Sequence, residues 1–201
     1  MAVEGSTTGA AADIVDARNG AVPFDEYGRI EHLHASLEAL VQNGSSSFMA
    51  DTWSRQVLGA MERSKKLAES IENHGDLNQT FTATTGDYRS GLALQLEQTA
   101  RLVASRGFLK SKRDLFFVEI GGFDSHSNAF ETLEDRFPEI NAALDSFVQE
   151  MKLQGVWQNV TIVTASEFAR TLTSNGAGTD HGWAGHMYMM GGSIKGGRIH
   201  G

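Results

Sequence analysis

The run "DLFFVEIGG" at residues 114–122 decides how the rest of the chain is read. It is continuously apolar, rich in aromatic residues, too short for a buried helix and closed by glycines, so it predicts a buried strand over Leu115–Ile120. "NVTIVTA" at 159–165 repeats the pattern and predicts a second buried strand. Between them, Phe130, Leu133, Phe137, Ile140, Leu144, Phe147 and Met151 recur at helical spacing. A helical segment over 128–154 is expected, its main helix starting at Pro138 after a short turn. Strand, helix and strand in this order predict a βαβ unit with parallel pairing and a right-handed crossover. "HMYMMGGSI" at 186–194 offers one more strand.

Toward the N-terminus the pattern turns helical. "EHLHASLEALV" at 31–41 places Leu33, Leu37, Leu40 and Val41 on one face and stops at Asn43-Gly44. A second helix is expected over 48–73 through Trp53, Val57, Met61, Leu67 and Ile71, broken by "NHGD". A third is expected over 88–106 through Leu92, Leu96, Thr99, Ala100 and Val103, with Gly107 as its left-handed exit. Residues 1–28 hold no sustained period and read as an irregular lead-in. The expected organisation is that lead-in followed by one α/β domain or fragment over 29–201, with a helical half at 29–110 and a βαβ half at 114–201.

The 201 residues, 40% of them hydrophobic, suffice for one ordinary core. A net charge of -8, from 25 acidic against 17 basic residues, lacks the clustered cations that nucleic acid requires. No nucleic-acid partner is expected. No apolar run approaches the roughly 20 residues that span a bilayer, and the N-terminus lacks the pattern of a secretion signal, so a soluble chain without a membrane partner is expected. The chain has no cysteine, so any metal must be held by imidazole and oxygen ligands.

Ligands of open parallel sheets bind beyond the carboxyl ends of the strands. That rule selects Asp124 and His126 after the first strand, and Ser166, Glu167, Arg170, Asp180 and His181 after the second. Asp, Glu and His together suit a borderline divalent metal such as zinc or manganese. Gly121-Gly122 and the glycine-rich 176–182 stretch would let backbone approach a ligand closely. Plainer readings stand beside these: Asp124 as a helix cap, and Glu167 with Arg170 as a helical ion pair three residues apart; against the latter, Arg170 is suited to bind a phosphate or sulfate oxygen bidentately. His32, His34, His74 and His200 read as solvated, and His186 stays undecided.

"VEIGGFDSHSNAF", "VTIVTASEFARTLTSNGAGTDHGW" and "MMGGSIKGGRIHG", in that order, resemble the family catalogued as domain of unknown function fifteen-oh-one, grouped with the alkaline phosphatase and sulfatase-like superfamily. The resemblance implies a three-layer α/β/α sandwich with a mostly parallel sheet, preceded here by the helical region. It implies a hydrolase of phosphate or sulfate esters, acting on a small anionic ester or a sulfated or phosphorylated glycan. Its metal ligands would fall on Asp124, His126, Asp180 and His181, with Glu167 as a further ligand or catalytic group, Arg170 on an oxyanion, and zinc, manganese or calcium as the ion. The superfamily often has Asp-His where this chain has Glu167-Phe168, and the strand that carries its nucleophile has no counterpart here. The chain therefore reads as a fragment or a shortened relative, and the family's members are often exported. The alternative is a non-catalytic binding module that retains an incomplete version of the fold.

Overall fold

A computed structural model describes residues 2–5, 13–21, 36, 38–39, 42, 47–85, 88–110 and 112–199. The expected helix over 31–41 lies largely outside them, as do His32, His34 and His200; Ser36, Glu38, Ala39 and Gln42 are helical. The elements in chain order are β1 (Ala2–Gly5), β2 (Asp13–Ile14), α1 (Phe48–His74), β3 (Thr84–Thr85), β4 (Tyr88–Arg89), α2 (Gly91–Ala104) and α3 (Arg106–Leu109). They continue as β5 (Asp114–Phe117), α4 (Ala129–Leu153), a 3-10 turn (Trp157–Asn159), β6 (Thr161–Val163), β7 (Ala169–Ser174), β8 (Thr179–Gly182) and β9 (Met189–Gly191). The fold is mixed α/β.

Among the described residues every strand pairing is antiparallel. β5 pairs with β1, β1 with β2, β3 with β4, β6 with β9 and β7 with β8. The parallel β5–β6 pairing expected of a βαβ unit does not occur among them. β5 gives its pairing edge to β1, with Val3 opposite Phe116, and the short β6 gives its edge to β9, with Ile162 opposite Met190. Nor is the apolar run buried on both faces, since Leu115 and Phe117 are exposed.

The chain forms two compact units, Met1–Leu77 with Glu97–Val118, and Asn78–Leu96 with Glu119–Gly201. In the first, Val15, Leu67 and Leu102 form a buried cluster lined by Ala21, Ile71, Leu109 and Phe116. Ser70 and Ser105 are buried beside it, and their hydroxyls meet at 3.3 Å while donating to Leu67 O and Leu102 O, so neither hydroxyl loses a partner on leaving water. α1 ends at Gly75, whose amide bonds Ile71 O. The left-handed exit after α2 falls at Lys110, φ 55°, and not at Gly107, because the chain first makes the extra turn α3.

In the second unit α4 runs unbroken through Pro138, which therefore does not start it. Its buried face is Glu139, Ala143, Ser146, Phe147, Glu150 and Met151, spaced by three and four, whereas Phe130 and Phe137 of the expected stripe are exposed. Two glutamates thus occupy a face that apolar patterning assigns to hydrophobic residues. Each is matched. Glu150 accepts from the Asn78 amide at 2.9 Å and from Gln154 Nε2 at 2.9 Å, and Glu139 accepts from Ser90 Oγ at 2.5 Å and Arg136 Nη1 at 2.7 Å.

Candidate metal centre

The stretch that carries Glu167, Arg170, Asp180 and His181 is a hairpin of β7 and β8 rather than an open loop. Ala169 lies opposite Gly182, Arg170 opposite His181 and Ser174 opposite Thr179, with an irregularity between Arg170 and Ser174. Its tip is built by side chains: Asn175 Oδ1 accepts from the amides of Ala177 and Gly178, and Ser174 Oγ accepts from the Gly176 amide at 3.0 Å. Sequence reading missed this hairpin, although Asn175-Gly176 between extended segments is the strongest short-range signal for one.

The tip grips the segment between Gly122 and α4. Asn175 Nδ2 donates to His126 O at 2.9 Å, the Ala129 amide to Ala177 O at 3.1 Å and the Thr179 amide to Ser125 O at 3.4 Å. At Gly178 a Cβ would collide with Ser125 O and the His126 carbonyl, so only glycine permits this approach. Arg170 completes the grip. Its Nη1 donates to Thr179 O at 2.7 Å and its Nη2 to Phe123 O, while Nη2 also lies 3.3 Å from Asp124 Oδ1. The predicted helical ion pair of Glu167 with Arg170 has no helix to form on, and Asp124 is not the cap of α4, whose N-terminal neighbour is Asn128.

Asp124 Oδ1 is the convergence point. His181 Nε2 lies 2.8 Å from it and His126 Nε2 3.0 Å. The other ring nitrogen of His126, Nδ1, lies 3.0 Å from Asp180 Oδ1. The His181 ring is stacked on Phe168, centroids 4.0 Å apart at 7°, and lies 5.0 Å from the His126 ring. Phe168 also carries the Arg170 guanidinium 5.0 Å from its centroid, a support that sequence reading did not assign. The hydrogen bond from His181 holds the Asp124 carboxyl below its ordinary value; desolvation opposes it, and the charges of His126, His181 and Arg170 add to the lowering.

The sequence-selected residues separate accordingly. Asp124, His126 and His181 present ligand atoms all within 4.8 Å of one another. Asp180 stands behind His126, and Arg170 braces Asp124. Glu167 is exposed and outside the cluster. The hydroxyls of Ser166 and Thr171 donate to the carbonyls of Phe168 and Thr173 at 2.6 and 2.9 Å. His186 is exposed, and His74 lies against Phe108 at 4.9 Å.

One carboxylate oxygen and two imidazole nitrogens are a donor set that suits zinc or a first-row metal such as manganese or iron. It does not suit calcium, which takes six to eight oxygens. Ligands about 2.1 Å from a tetrahedral ion stand about 3.4 Å apart, so each imidazole nitrogen needs to draw back from Asp124 Oδ1, now at 2.8 and 3.0 Å, by only about half an ångström to admit one. Asp180 on the remote nitrogen of His126 fixes the ring's orientation and tautomer, as carboxylates behind metal-bound imidazoles do. Among the described residues no helix is long and apolar enough to cross a membrane. A family model described as "Protein of unknown function (DUF1501)" matches residues 2–201. No curated protein and no solved structure gives a significant match.

Proposed function

The chain belongs to the DUF1501 family of proteins of unknown function; from its Asp–His cluster, together with the resemblance of its motifs to the sulfatase-like superfamily, we propose that it is a divalent-metal-dependent hydrolase of phosphate or sulfate esters. The observation that carries this reading is the approach of both Nε2 atoms to Asp124 Oδ1, at 2.8 and 3.0 Å. If Asp180 accepts the Nδ1 proton of His126, a neutral ring turns a lone pair toward a carboxylate oxygen. Two electron-rich atoms at that distance need a proton or a cation between them.

Asp124, His126 and His181 hold the ion, Asp180 orients His126, and Arg170 fixes Asp124 together with the Phe123 carbonyl. Bound there, a divalent ion supplies Lewis-acid polarisation of an ester oxygen and a lowered pKa for water. The ligand side chains are about half exposed, which leaves one side of the site open to a small anionic ester or a sulfated or phosphorylated glycan. Glu167, exposed two residues before β7, is the carboxylate we assign as proton acceptor. The sulfatase-like grouping and its three-layer parallel sandwich belong to this proposal; the order of the sequence motifs supports the grouping, and the antiparallel pairings described above add nothing to it.

A second reading is favoured by the hydroxyls: Ser166 and Thr171 are tied to backbone carbonyls, which suits a binding module without a protein nucleophile. Metal analysis and a panel of phosphate and sulfate esters separate the two. The hydrolase carries about one ion per chain, loses it in Asp124→Ala and His181→Ala, and loses turnover in step. A protein that takes up zinc or manganese without hydrolysing any ester is the module. A protein that takes up neither ion refutes the metal site.

A further inference from the structure

Beyond the ligands, the segment that presents Asp124 is suspended from side chains that the proposed chemistry does not use. Gln95 holds its beginning, with Nε2 donating to Glu119 O at 2.8 Å and Oε1 accepting from the Glu119 amide at 2.9 Å. Three residues on, Gly122 adopts φ +92° and lies against the guanidinium of Arg136. The positive φ favours glycine there, and a Cβ would stand 2.8 Å from Arg136 Nε, 3.0 Å from Nη2 and 3.2 Å from Cζ, so a side chain at this position would displace the guanidinium.

Arg136 is itself immobilised. Its Nη1 donates to Oε2 of Glu139 at 2.7 Å, and Oε1 of the same carboxylate accepts from Ser90 Oγ at 2.5 Å. Ser90 is in turn anchored through its amide to Ala83 O at 2.9 Å. Glu139 is buried, whereas a pair made only for helix stability would sit as well at the surface without the cost of desolvating a carboxylate. Held by this carboxylate, the Arg136 guanidinium lies against Gly122, two residues before Asp124.

We propose that Arg136, clamped by Glu139 and Ser90, is a positioning residue that sets the Gly122 turn and through it the direction of the Asp124 carboxylate. This rests on the reading of Asp124 as a metal ligand. Cobalt(II), a visible stand-in for zinc, is titrated against a chelator into wild type, Arg136→Gln, Arg136→Lys and Gly122→Ala. In the metal-free proteins, amide exchange is followed by NMR at Ser125 and Thr179, whose amides bond Phe123 O and Ser125 O, and at Val156, bonded to Met151 O, as an internal control.

Arg136→Gln and Gly122→Ala are expected to weaken cobalt binding about 10- to 100-fold, the usual effect of removing support behind a ligand. They are also expected to speed exchange at Ser125 and Thr179 by a similar factor while Val156 is unchanged, and Arg136→Lys recovers part of both. Exchange that rises equally at all three amides makes the pair a general stabiliser and overturns the proposal, as does unaltered exchange at Ser125 in both variants. If wild type binds no cobalt, the metal reading fails by itself, and the exchange measurements still decide whether Arg136 sets the turn.

Discussion

Glu139 and Glu150 on one side, and Asp124 and Asp180 on the other, are carboxylates of the same compact unit in opposite circumstances. The glutamates are 6% and 0% exposed, and each accepts from donors brought by another segment of the chain. The side chains of the aspartates are 59% and 67% exposed, yet both are drawn onto the same imidazole. Burial makes a carboxylate depend on its partners, because a lost partner then leaves an unsatisfied group in a poor solvent. At the surface an ion pair returns about 0–1 kcal/mol, too little to explain several ionisable side chains converging on one oxygen atom. Glu150 is accounted for by the fold it supports, Glu139 by the Arg136 guanidinium it holds against Gly122, and the exposed aspartates by the ion proposed for their site.

The contrast can be broken most sharply at Glu150. Glu150→Ala strands the Asn78 amide and Asn78 Nδ2 and removes the acceptor of Gln154 Nε2 on this residue, and is expected to cost about 3 kcal/mol of stability in a denaturant melt. A loss as small as that of a surface acid would erase the distinction. Asp180→Asn is the mirror experiment. Unfolding should shift by under about 1 kcal/mol, while zinc affinity measured by chelator competition falls about 10- to 100-fold as His126 loses its orienting acceptor.

The smallest effect lies in pH. The folded Asp124 carboxyl sits below its ordinary value of 3.8, so its contribution is present above that pH and is lost as the pH falls through the folded value. Metal-free wild type and Asp124→Asn should therefore differ modestly in stability at about pH 5 and converge as the pH falls below 3.8. A difference that appears only on acidification would reverse the sign and put the carboxyl in another environment.

How much of this was legible in the sequence follows from what each signal encodes. Helical periodicity is local, and the segment expected over 128–154 is observed as Ala129–Leu153. Strand partners are not local. The run at 114–122 identifies a strand, but nothing in its composition says that β1 rather than β6 will take its edge. That Asp124, His126 and His181 could converge was legible because these residue types follow the two apolar runs in the chain. Arg170 was legible as important but not as a brace, since its targets are the carbonyls of Phe123 and Thr179, which no side-chain pattern announces. Glu139, Ser90 and Arg136 were hidden altogether, because a glutamate on a helix reads as solvated until its partners are known.

Asp180 and His181 are consecutive on β8, so their side chains leave the strand on alternate sides, and the Asp124–His126 segment meets one from each. Sliding the hairpin by a single position would exchange those sides and misdirect both at once. The bare backbone at Gly178, seated under Ser125, works as a detent against such slippage. In this molecule strand alignment decides which side chains meet at Asp124 and His126.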